Sequence, residues 1–171
     1  MQTRLTEHFS VEELTSTSNG ALQAANRILT GAQMAKLLAL AEFGERIREI
    51  CAAAVCVHSG YRCPTLNGAT LGSSKTSQHQ DCEALDLDVV GQTPEQTFNI
   101  LCAAARAGKF RFGQLILEEA DRGYATVKWI HASVIGTLNP AKVGQAMEMK
   151  AGPDGKQHYV MVQKFNFSQP A

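Results

Sequence analysis

The segment 77–90, SQHQDCEALDLDVV, places His79 ahead of an alternating apolar strand that carries Asp86 and Asp88. Side chains alternate between the two faces of a strand, so both aspartates share the face opposite the leucines. A half-exposed strand explains this alternation by itself. The histidine adds a second interpretation, because its loop is close enough to fold back and bring the imidazole beside Asp86.

A second histidine, His131, belongs to another alternating segment, VKWIHASV, in which Trp129 and Ser133 share its face. Two imidazoles and one carboxylate form the ligand set of a catalytic zinc site, which keeps a fourth, tetrahedral position open for water. The metal would lower the pKa of that water toward about 7. His79, Asp86 and His131 are therefore candidate metal ligands.

Three helices are predicted to support these segments. The first begins at Ser10 with a capping box that Glu13 closes, the second spans 31–54, and the third begins at Thr93 and ends before Gly108. The long helix carries a core-facing stripe at helical spacing, formed by Met34, Leu37, Leu38, Ala41, Ile47, Ile50 and Cys51.

Short runs rich in Val and Ile predict strands at Val55–His58, Ala84–Val90, Gln114–Glu118, Ala125–Val134 and Tyr159–Phe165. Polar loops are predicted over 59–77 and 136–145, and a hairpin turn over 152–155. Helices that flank a mixed, mostly antiparallel sheet define an α+β fold. We expect one domain over 1–171, with 1–30 as an N-terminal lead-in.

Composition limits the functions that this chain can have. It is 44% hydrophobic and 19% charged, so it can bury one sizeable core. Its 16 basic residues balance its 16 acidic ones, which disfavours nucleic acid or an anionic membrane surface as a partner. No run approaches the roughly 20 apolar residues of a membrane span, and the N-terminus lacks an apolar signal core. We expect a monomer made in the cytoplasm.

The five cysteines are odd in number and lack paired CxxC spacing. This pattern predicts neither a disulfide framework nor a cysteine-built zinc finger. Cys51 and Cys102 fall within helical apolar patterns and are interpreted as small buried hydrophobic residues.

Three motifs occur in the order seen in zinc D-Ala-D-Ala carboxypeptidases: Ser59-Gly-Tyr-Arg62, then Ser77-Gln-His79 with Asp86, then Trp129-Ile-His131. The sequence resembles that family over most of its length, and its opening, His8–Leu14, resembles the lead-in of phage and bacterial cell-wall peptidases. The resemblance implies a zinc peptidase that acts on peptidoglycan stem peptides. It also implies that the two histidines and the aspartate of these motifs bind the zinc ion.

Such a peptidase needs a carboxylate that takes a proton from water and returns one to the leaving amine. Many members of the family carry it three residues before the final histidine, where this chain has Lys128. The segment Phe112–Glu118 resembles instead the branch that includes hedgehog signalling domains, in which the acid ends the preceding strand. Glu118 is therefore the candidate, and Glu119, on the opposite face of that strand, is the reserve. The other interpretation is that both glutamates begin a solvated loop.

The resemblance makes Arg62 a substrate anchor, since a guanidinium can hold a carboxylate or carbonyl through parallel hydrogen bonds. Ser77 and Gln114 are candidates for hydrogen bonds to the substrate or to the metal ligands. Cys82 stands where the family usually has glycine, which tolerates backbone angles that cysteine does not.

We therefore expect a zinc peptidase that cuts either the terminal D-Ala or an internal L-Ala–D-Glu bond, as a phage lysis enzyme or a virion-borne one. The alternative is a non-catalytic zinc-containing module with a structural or protein-binding role. The hedgehog likeness permits this alternative, and Lys128 favours it. The residues leave open whether another divalent ion replaces zinc.

Overall fold

A computed structural model describes residues 2–121, 123, 125–137, 139–151 and 156–167. Its α-helices are α1 (Val11–Leu14), α2 (Gln23–Asn26), α3 (Gly31–Cys51), α4 (Pro64–Ala69) and α5 (Pro94–Arg106), with 3-10 turns at Gly20–Leu22, Gln78–Asp81 and Pro140–Lys142. Its strands are β1 (Val55–Ser59), β2 (Ala84–Val89), β3 (Gln114–Asp121), β4 (Thr126–Ser133), β5 (Gln145–Ala151) and β6 (Gln157–Lys164). No helix in the described part of the chain is both long and apolar enough to cross a membrane.

The six strands form one sheet in the order β1-β2-β4-β3-β5-β6. Strands β3 and β5 pair in parallel, and the other four neighbouring pairs of described strands are antiparallel. The prediction of an α+β fold with a mixed, mostly antiparallel sheet is confirmed. The sheet places β4 between β2 and β3, so β2 lies beside a strand pair that follows it at a distance along the chain.

The two long helices pack on one face of the sheet. The buried strand residues on this face include Leu85, Leu87, Leu115, Leu117, Ile130 and Ala132, and they share a core with Leu37, Leu40 and Leu101 of the helices. Because side chains alternate along a strand, the intervening residues of β2, β3 and β4 point to the second face. We call this second face the open face. The polar residues that the sequence analysis singled out on β2 and β4 lie there.

Helix α3 is slightly shorter than predicted and buries a different stripe. It starts at a capping box on Thr30, and Ala52 ends it in the left-handed conformation. Its buried residues are Leu37, Leu40, Ala41, Gly44, Ile47 and Cys51. The prediction that Met34 and Leu38 face the core is wrong, since they are 37% and 39% exposed. Gly44 belongs to the stripe because a Cβ there would lie 2.9 Å from the Phe9 ring.

Most predicted strands are confirmed within a few residues, with two differences. β3 continues to Asp121, so the interpretation of Glu118 and Glu119 as the start of a loop is wrong. β5 was not predicted, because QAMEMKA contains no β-branched or aromatic residue. Pairing with β3 and β6 on its two sides overrides that weak local preference. The predicted loop 59–77 contains α4, and the predicted turn at 152–155 lies outside the described residues.

Glu83 joins three parts of the fold. Its side chain is only 4% exposed, and it accepts hydrogen bonds from Lys36 Nζ at 2.8 Å and from the backbone and hydroxyl of Thr137, both at 2.9 Å. A Cβ at Gly136 would lie 2.4 Å from this carboxylate. A side chain at position 136 would therefore push the loop and the Glu83 carboxylate apart. Glu83 therefore ties α3 and the chain after β4 to the start of β2.

Replacing Glu83 by alanine should lower the free energy of unfolding by about 1.5 to 3 kcal/mol, because the hydrogen bonds that the buried, charged carboxylate accepts from Lys36 and Thr137 are lost. Urea denaturation measures this loss. The matched control is Glu49→Ala, which removes an ion pair with Arg46 from a carboxylate that is 69% exposed, and it should cost less than about 0.5 kcal/mol. Similar losses in the two variants would contradict the role of Glu83.

Candidate metal centre

Three side chains converge on the open face of the sheet. Asp86 and His131 are directly opposite in the pairing of β2 with β4, and His131 Nδ1 lies 3.0 Å from Asp86 Oδ1. His79 reaches the same point from the 3-10 turn that precedes β2, with its Nε2 3.2 Å from Asp86 Oδ1 and 3.3 Å from His131 Nδ1. The structure thus brings together all three candidate ligands.

His79 Nε2, Asp86 Oδ1 and His131 Nδ1 form a triangle, which we call the triangle, and its size suits a tetrahedral metal ion. Zinc binds imidazole nitrogen and carboxylate oxygen at about 2.0–2.2 Å, which places two ligand atoms of a tetrahedron roughly 3.3 Å apart. The three atoms of His79, Asp86 and His131 are 3.0 to 3.3 Å apart. The donor set and its spacing could therefore hold a metal ion with one further position open.

The orientation of the His79 ring is fixed by a hydrogen bond on the side away from the triangle. Its Nδ1 lies 2.7 Å from the carbonyl oxygen of Gly60, so Nδ1 carries the proton and Nε2 presents a lone pair to the triangle. The ring is only 1% exposed. Cys82, which follows this turn, adopts the left-handed conformation with φ 55°. Cysteine therefore takes the glycine-like angle itself, at a cost of roughly 1–2 kcal/mol.

The charges of the triangle are mutually dependent. Burial opposes ionisation of Asp86, but the imidazoles of His79 and His131 outweigh it and hold the pKa of that carboxyl well below its ordinary value. Burial lowers the pKa of His79. Burial also acts to lower the pKa of His131, but the hydrogen bond to Asp86 outweighs it and the pKa is raised. The group is therefore built around an ionised carboxylate that needs positive charge beside it.

Arg62 supplies part of that charge. Its Nη2 lies 3.6 Å from Asp86 Oδ2, whereas the two imidazole contacts are made with Oδ1. The Arg62 side chain is 13% exposed, and its Nε is buried without a hydrogen-bond partner among the described residues. Burial lowers the pKa of this guanidinium, but arginine remains charged in proteins. A buried donor is thus available beside the triangle.

Glu118 lies on the same open face. It is directly opposite Trp129 in the pairing of β3 with β4, while Ile116 is opposite His131, so Glu118 is a diagonal neighbour of that histidine. Burial raises the pKa of the Glu118 carboxyl to about 7, although it accepts a hydrogen bond from the Trp129 side chain. A carboxyl with this pKa can both accept and release a proton near neutral pH.

The neighbouring Glu119 has the opposite environment. It pairs with Lys128 across β3 and β4, and Lys128 Nζ lies 3.3 Å from its carboxylate and 2.7 Å from that of Glu95 on α5. Both Glu119 and Lys128 therefore lie on the helix-covered face, away from the triangle. The structure places the reserve candidate apart from the other site residues.

Ser77 and Gln114 are placed differently from each other. Ser77 begins the 3-10 turn that carries His79 and is half-buried. Gln114, at the start of β3, donates a hydrogen bond from Nε2 to Gln145 Oε1 at 3.0 Å. Its side chain is thus engaged with the start of β5 rather than with the triangle.

Three residues around the site carry functions that the sequence analysis did not assign. The Gly60 carbonyl holds His79, and a Cβ on Gly60 would lie 2.4 Å from the Leu14 carbonyl oxygen. Trp129 supports Glu118, and Asn26 holds the loop that carries Arg62. The Ser-Gly-Tyr-Arg motif and the strand alternation pointed to the first two. No local pattern marks Asn26.

Convergent nitrogen and oxygen ligands, a buried arginine and a glutamate with a pKa near neutrality define the type of site found in metal-dependent hydrolases. The family model described as Peptidase M15 matches residues 7–119, and the chain belongs to this peptidase family. The resemblance to zinc D-Ala-D-Ala carboxypeptidases is confirmed. A comparison with curated proteins gave no match. The matched segment includes His79 and Asp86, whereas His131 comes from β4 beyond it.

The triangle predicts that the protein binds one zinc ion per chain and that His131→Ala weakens this binding by at least about a hundredfold, because one of three ligands is lost. Isothermal titration with zinc measures the affinity. The matched control is His58→Ala. It removes an exposed imidazole on β1 that is bonded to Asp88 on β2, and it should leave zinc affinity unchanged. Equal weakening in both variants would argue against the triangle.

Glu118 should give the metal-free protein a pH-dependent stability. Its pKa is about 7 in the folded chain against an ordinary value of 4.5, so its stabilising contribution is complete below pH 4.5 and is lost as the pH rises through 7. From pH 4.5 to 8 the wild type should lose roughly 1 to 3 kcal/mol relative to Glu118→Gln. Urea denaturation at each pH tests this expectation, and parallel stability curves would contradict it.

Proposed function

We propose that this member of the Peptidase M15 family is a zinc peptidase that hydrolyses a peptide bond in bacterial peptidoglycan stem peptides. The observation that carries the proposal is the triangle of His79, Asp86 and His131, with ligand atoms 3.0 to 3.3 Å apart beside Arg62 and Glu118. Family membership supports the peptidase activity. The donor set of two imidazoles and one carboxylate supports zinc as the ion.

In this proposal His79, Asp86 and His131 hold the ion. When bound, zinc would supply Lewis acidity, which polarises a carbonyl group and lowers the pKa of water so that water can act as a nucleophile at neutral pH. The Gly60 carbonyl keeps Nε2 of His79 free of a proton, as metal binding requires. The ionised state of Asp86 at ordinary pH also favours a cation.

Glu118 is the proposed general base and acid. Its burial keeps the pKa near 7, so the carboxylate can take a proton from the attacking water and return it to the leaving amine. The hydrogen bond from the Trp129 side chain is proposed to orient this carboxylate. Glu119 is the weaker candidate because its ion pair with Lys128 lies on the other face of the sheet.

Arg62 is the proposed substrate anchor. Its side chain is 13% exposed beside Asp86, so the accessible part of the guanidinium is proposed to donate to a carbonyl or carboxylate of the peptide. Ser77 is proposed to contact the substrate or to orient His79, which it precedes by two residues. Gln114 is proposed to support the start of β5 through Gln145, and its hydrogen bond to the substrate or to the metal ligands stays a prediction.

The bond that is cut is proposed to be either the terminal D-Ala–D-Ala linkage or the internal L-Ala–D-Glu linkage. Mass spectrometry of fragments from a cell-wall digest distinguishes the two by the mass of the released group. We further propose that the chain acts in phage lysis or as a virion component, on the resemblance of its opening, His8–Leu14, to phage wall peptidases. Detection of the native protein away from any wall or virion would count against that setting.

A non-catalytic zinc module is the other candidate. Lys128 was the feature that favoured it, since this position carries the catalytic acid in many relatives. In this structure Lys128 pairs with Glu95 and Glu119 on the helix-covered face, while Glu118 lies near the triangle. This arrangement supports catalysis, and an inactive zinc-loaded protein would support the module.

Glu118→Gln should keep zinc affinity within about twofold and lower kcat on stem peptides by at least about a hundredfold, because the amide cannot accept the proton. Zinc-loaded protein is incubated with purified stem peptides, and the released amine is quantified. The matched control is Glu119→Gln, which changes the adjacent residue on the opposite face and should keep kcat within about threefold. Loss of turnover in the control alone would transfer the proton shuttle to Glu119.

A further inference from the structure

The position of the Arg62 guanidinium depends on the conformation of the backbone that carries it. It lies on the short loop 60–63, between β1 and α4, and extends its guanidinium toward Asp86. An arginine side chain has several rotatable bonds, so a small rotation of the loop would move the guanidinium by a large distance. Something must hold both peptide groups that flank Arg62.

A single buried amide holds both of them. Asn26 is 0% exposed, and its Nδ2 donates to the carbonyl oxygen of Tyr61 at 2.9 Å. Its Oδ1 accepts from the backbone N–H of Cys63 at 2.7 Å. The Tyr61 carbonyl belongs to the peptide group that precedes Arg62, and the Cys63 N–H belongs to the one that follows it. Asn26 therefore bridges the loop across Arg62.

Asn26 is itself anchored in the N-terminal lead-in, residues 1–30, which we call the N-terminal segment. Its second amide hydrogen is donated to the carbonyl oxygen of Thr15 at 2.9 Å, directly after α1. This set of bonds needs two donors and one acceptor on a short side chain, which asparagine supplies and aspartate or leucine does not. The residue type is thus dictated by the contacts rather than by burial alone.

Two further contacts connect the same loop to the N-terminal part of the chain. The backbone N–H of Tyr61 donates to the Leu14 carbonyl oxygen at 2.7 Å, and the Tyr61 hydroxyl accepts from Gln33 Nε2 at 3.0 Å. The N–H of Arg62 donates to the His79 carbonyl oxygen at 3.0 Å. The loop is thus held between the N-terminal segment and the turn that carries His79.

We propose that Asn26 is a positioning residue that holds the Arg62 guanidinium in place beside Asp86. The N-terminal segment thereby determines how tightly the site binds its substrate. The inference rests on the proposed function in one respect, the role of Arg62 as the substrate anchor. Asn26 does not contact the triangle, and it acts through Arg62. Its loss should therefore affect substrate binding more than zinc binding.

A double-mutant cycle tests this inference on the full-length, zinc-loaded protein with purified stem peptides as the substrate. Asn26→Ala should raise KM about tenfold with kcat changed by less than about threefold, because the anchor is displaced while Glu118 is untouched. In the background of Arg62→Ala the same substitution should change KM by less than about twofold. Additive effects in the two backgrounds, or a parallel loss of zinc affinity, would overturn the inference.

Thr97→Ala is the matched control. Thr97, in the first turn of α5, is also buried, at 1% exposure, and its hydroxyl donates to Gln92 Oε1 at 3.1 Å. This variant loses a buried hydrogen bond remote from the loop, so KM should stay within about twofold of the wild type. A rise in KM equal to that of Asn26→Ala would show that general destabilisation is responsible, and would overturn the inference.

Tyr61→Phe serves as a milder variant in case Asn26→Ala fails to fold. It removes only the hydroxyl that bonds Gln33 and keeps the buried ring. It should raise KM about two- to fivefold in the presence of Arg62 and leave KM unchanged in Arg62→Ala. An unchanged KM with Arg62 present, together with accelerated backbone exchange in the loop, would overturn the inference.

Amide hydrogen exchange separates this inference from the proposed function. In Asn26→Ala the backbone amide of Cys63 should exchange at least about tenfold faster, whereas Thr97→Ala should leave it unchanged. If the wild type releases no amine from stem peptides, the proposed function fails, while the exchange result still reports whether Asn26 holds the loop 60–63. Unchanged exchange in Asn26→Ala would overturn the inference even in an active enzyme.

Discussion

The two oxygens of the Asp86 carboxylate have different partners. Oδ1 lies 3.0 to 3.2 Å from the nearest imidazole nitrogens of His131 and His79, and Oδ2 lies 3.6 Å from the Arg62 guanidinium. An ionised carboxylate that is removed from water without positive charge beside it is unstable by several kcal/mol. The buried strand β2 can carry Asp86 only because these partners, and a cation where one binds, face the same point.

The rest of the fold meets this requirement from three directions. The register of β2 against β4 sets His131 opposite Asp86. The 3-10 turn before β2 returns His79 to the same point, and the Gly60 carbonyl fixes its ring. The loop that carries Arg62 is held by Asn26 and by the Leu14 carbonyl, so the N-terminal segment belongs to the framework of the site.

Glu118 and Glu119 show how strongly a strand separates the chemistry of adjacent residues. Glu119 is paired with Lys128, which is also bonded to Glu95, so its carboxylate joins β3 to β4 and α5 on the helix-covered face. Glu118 is directed to the open face, where burial raises its pKa to about 7. The same chemical group is thus a structural ion-pair partner on one face and a candidate proton shuttle on the other.

The sequence was informative wherever a local pattern reflects a local cause. Alternation put Asp86 and His131 on the polar face of their strands, and the capping signals at Thr93 located the start of α5. It was less informative where a long-range partner decides the outcome. β5 has poor strand propensity and exists because β3 and β6 pair with it, and Met34 and Leu38 are exposed because packing selected another stripe of α3.

The sequence by itself determined the α+β class, the residue types of the candidate site and the family resemblance, because these depend on periodicity and on motifs a few residues long. Only the tertiary structure decided that His79, Asp86 and His131 meet within 3.3 Å, that Glu118 is desolvated and that Asn26 holds the Arg62 loop. The physical reason is that distances, burial and shared hydrogen bonds arise between segments far apart in the chain. Their relative placement is fixed by the packing of the whole sheet, which no local pattern encodes.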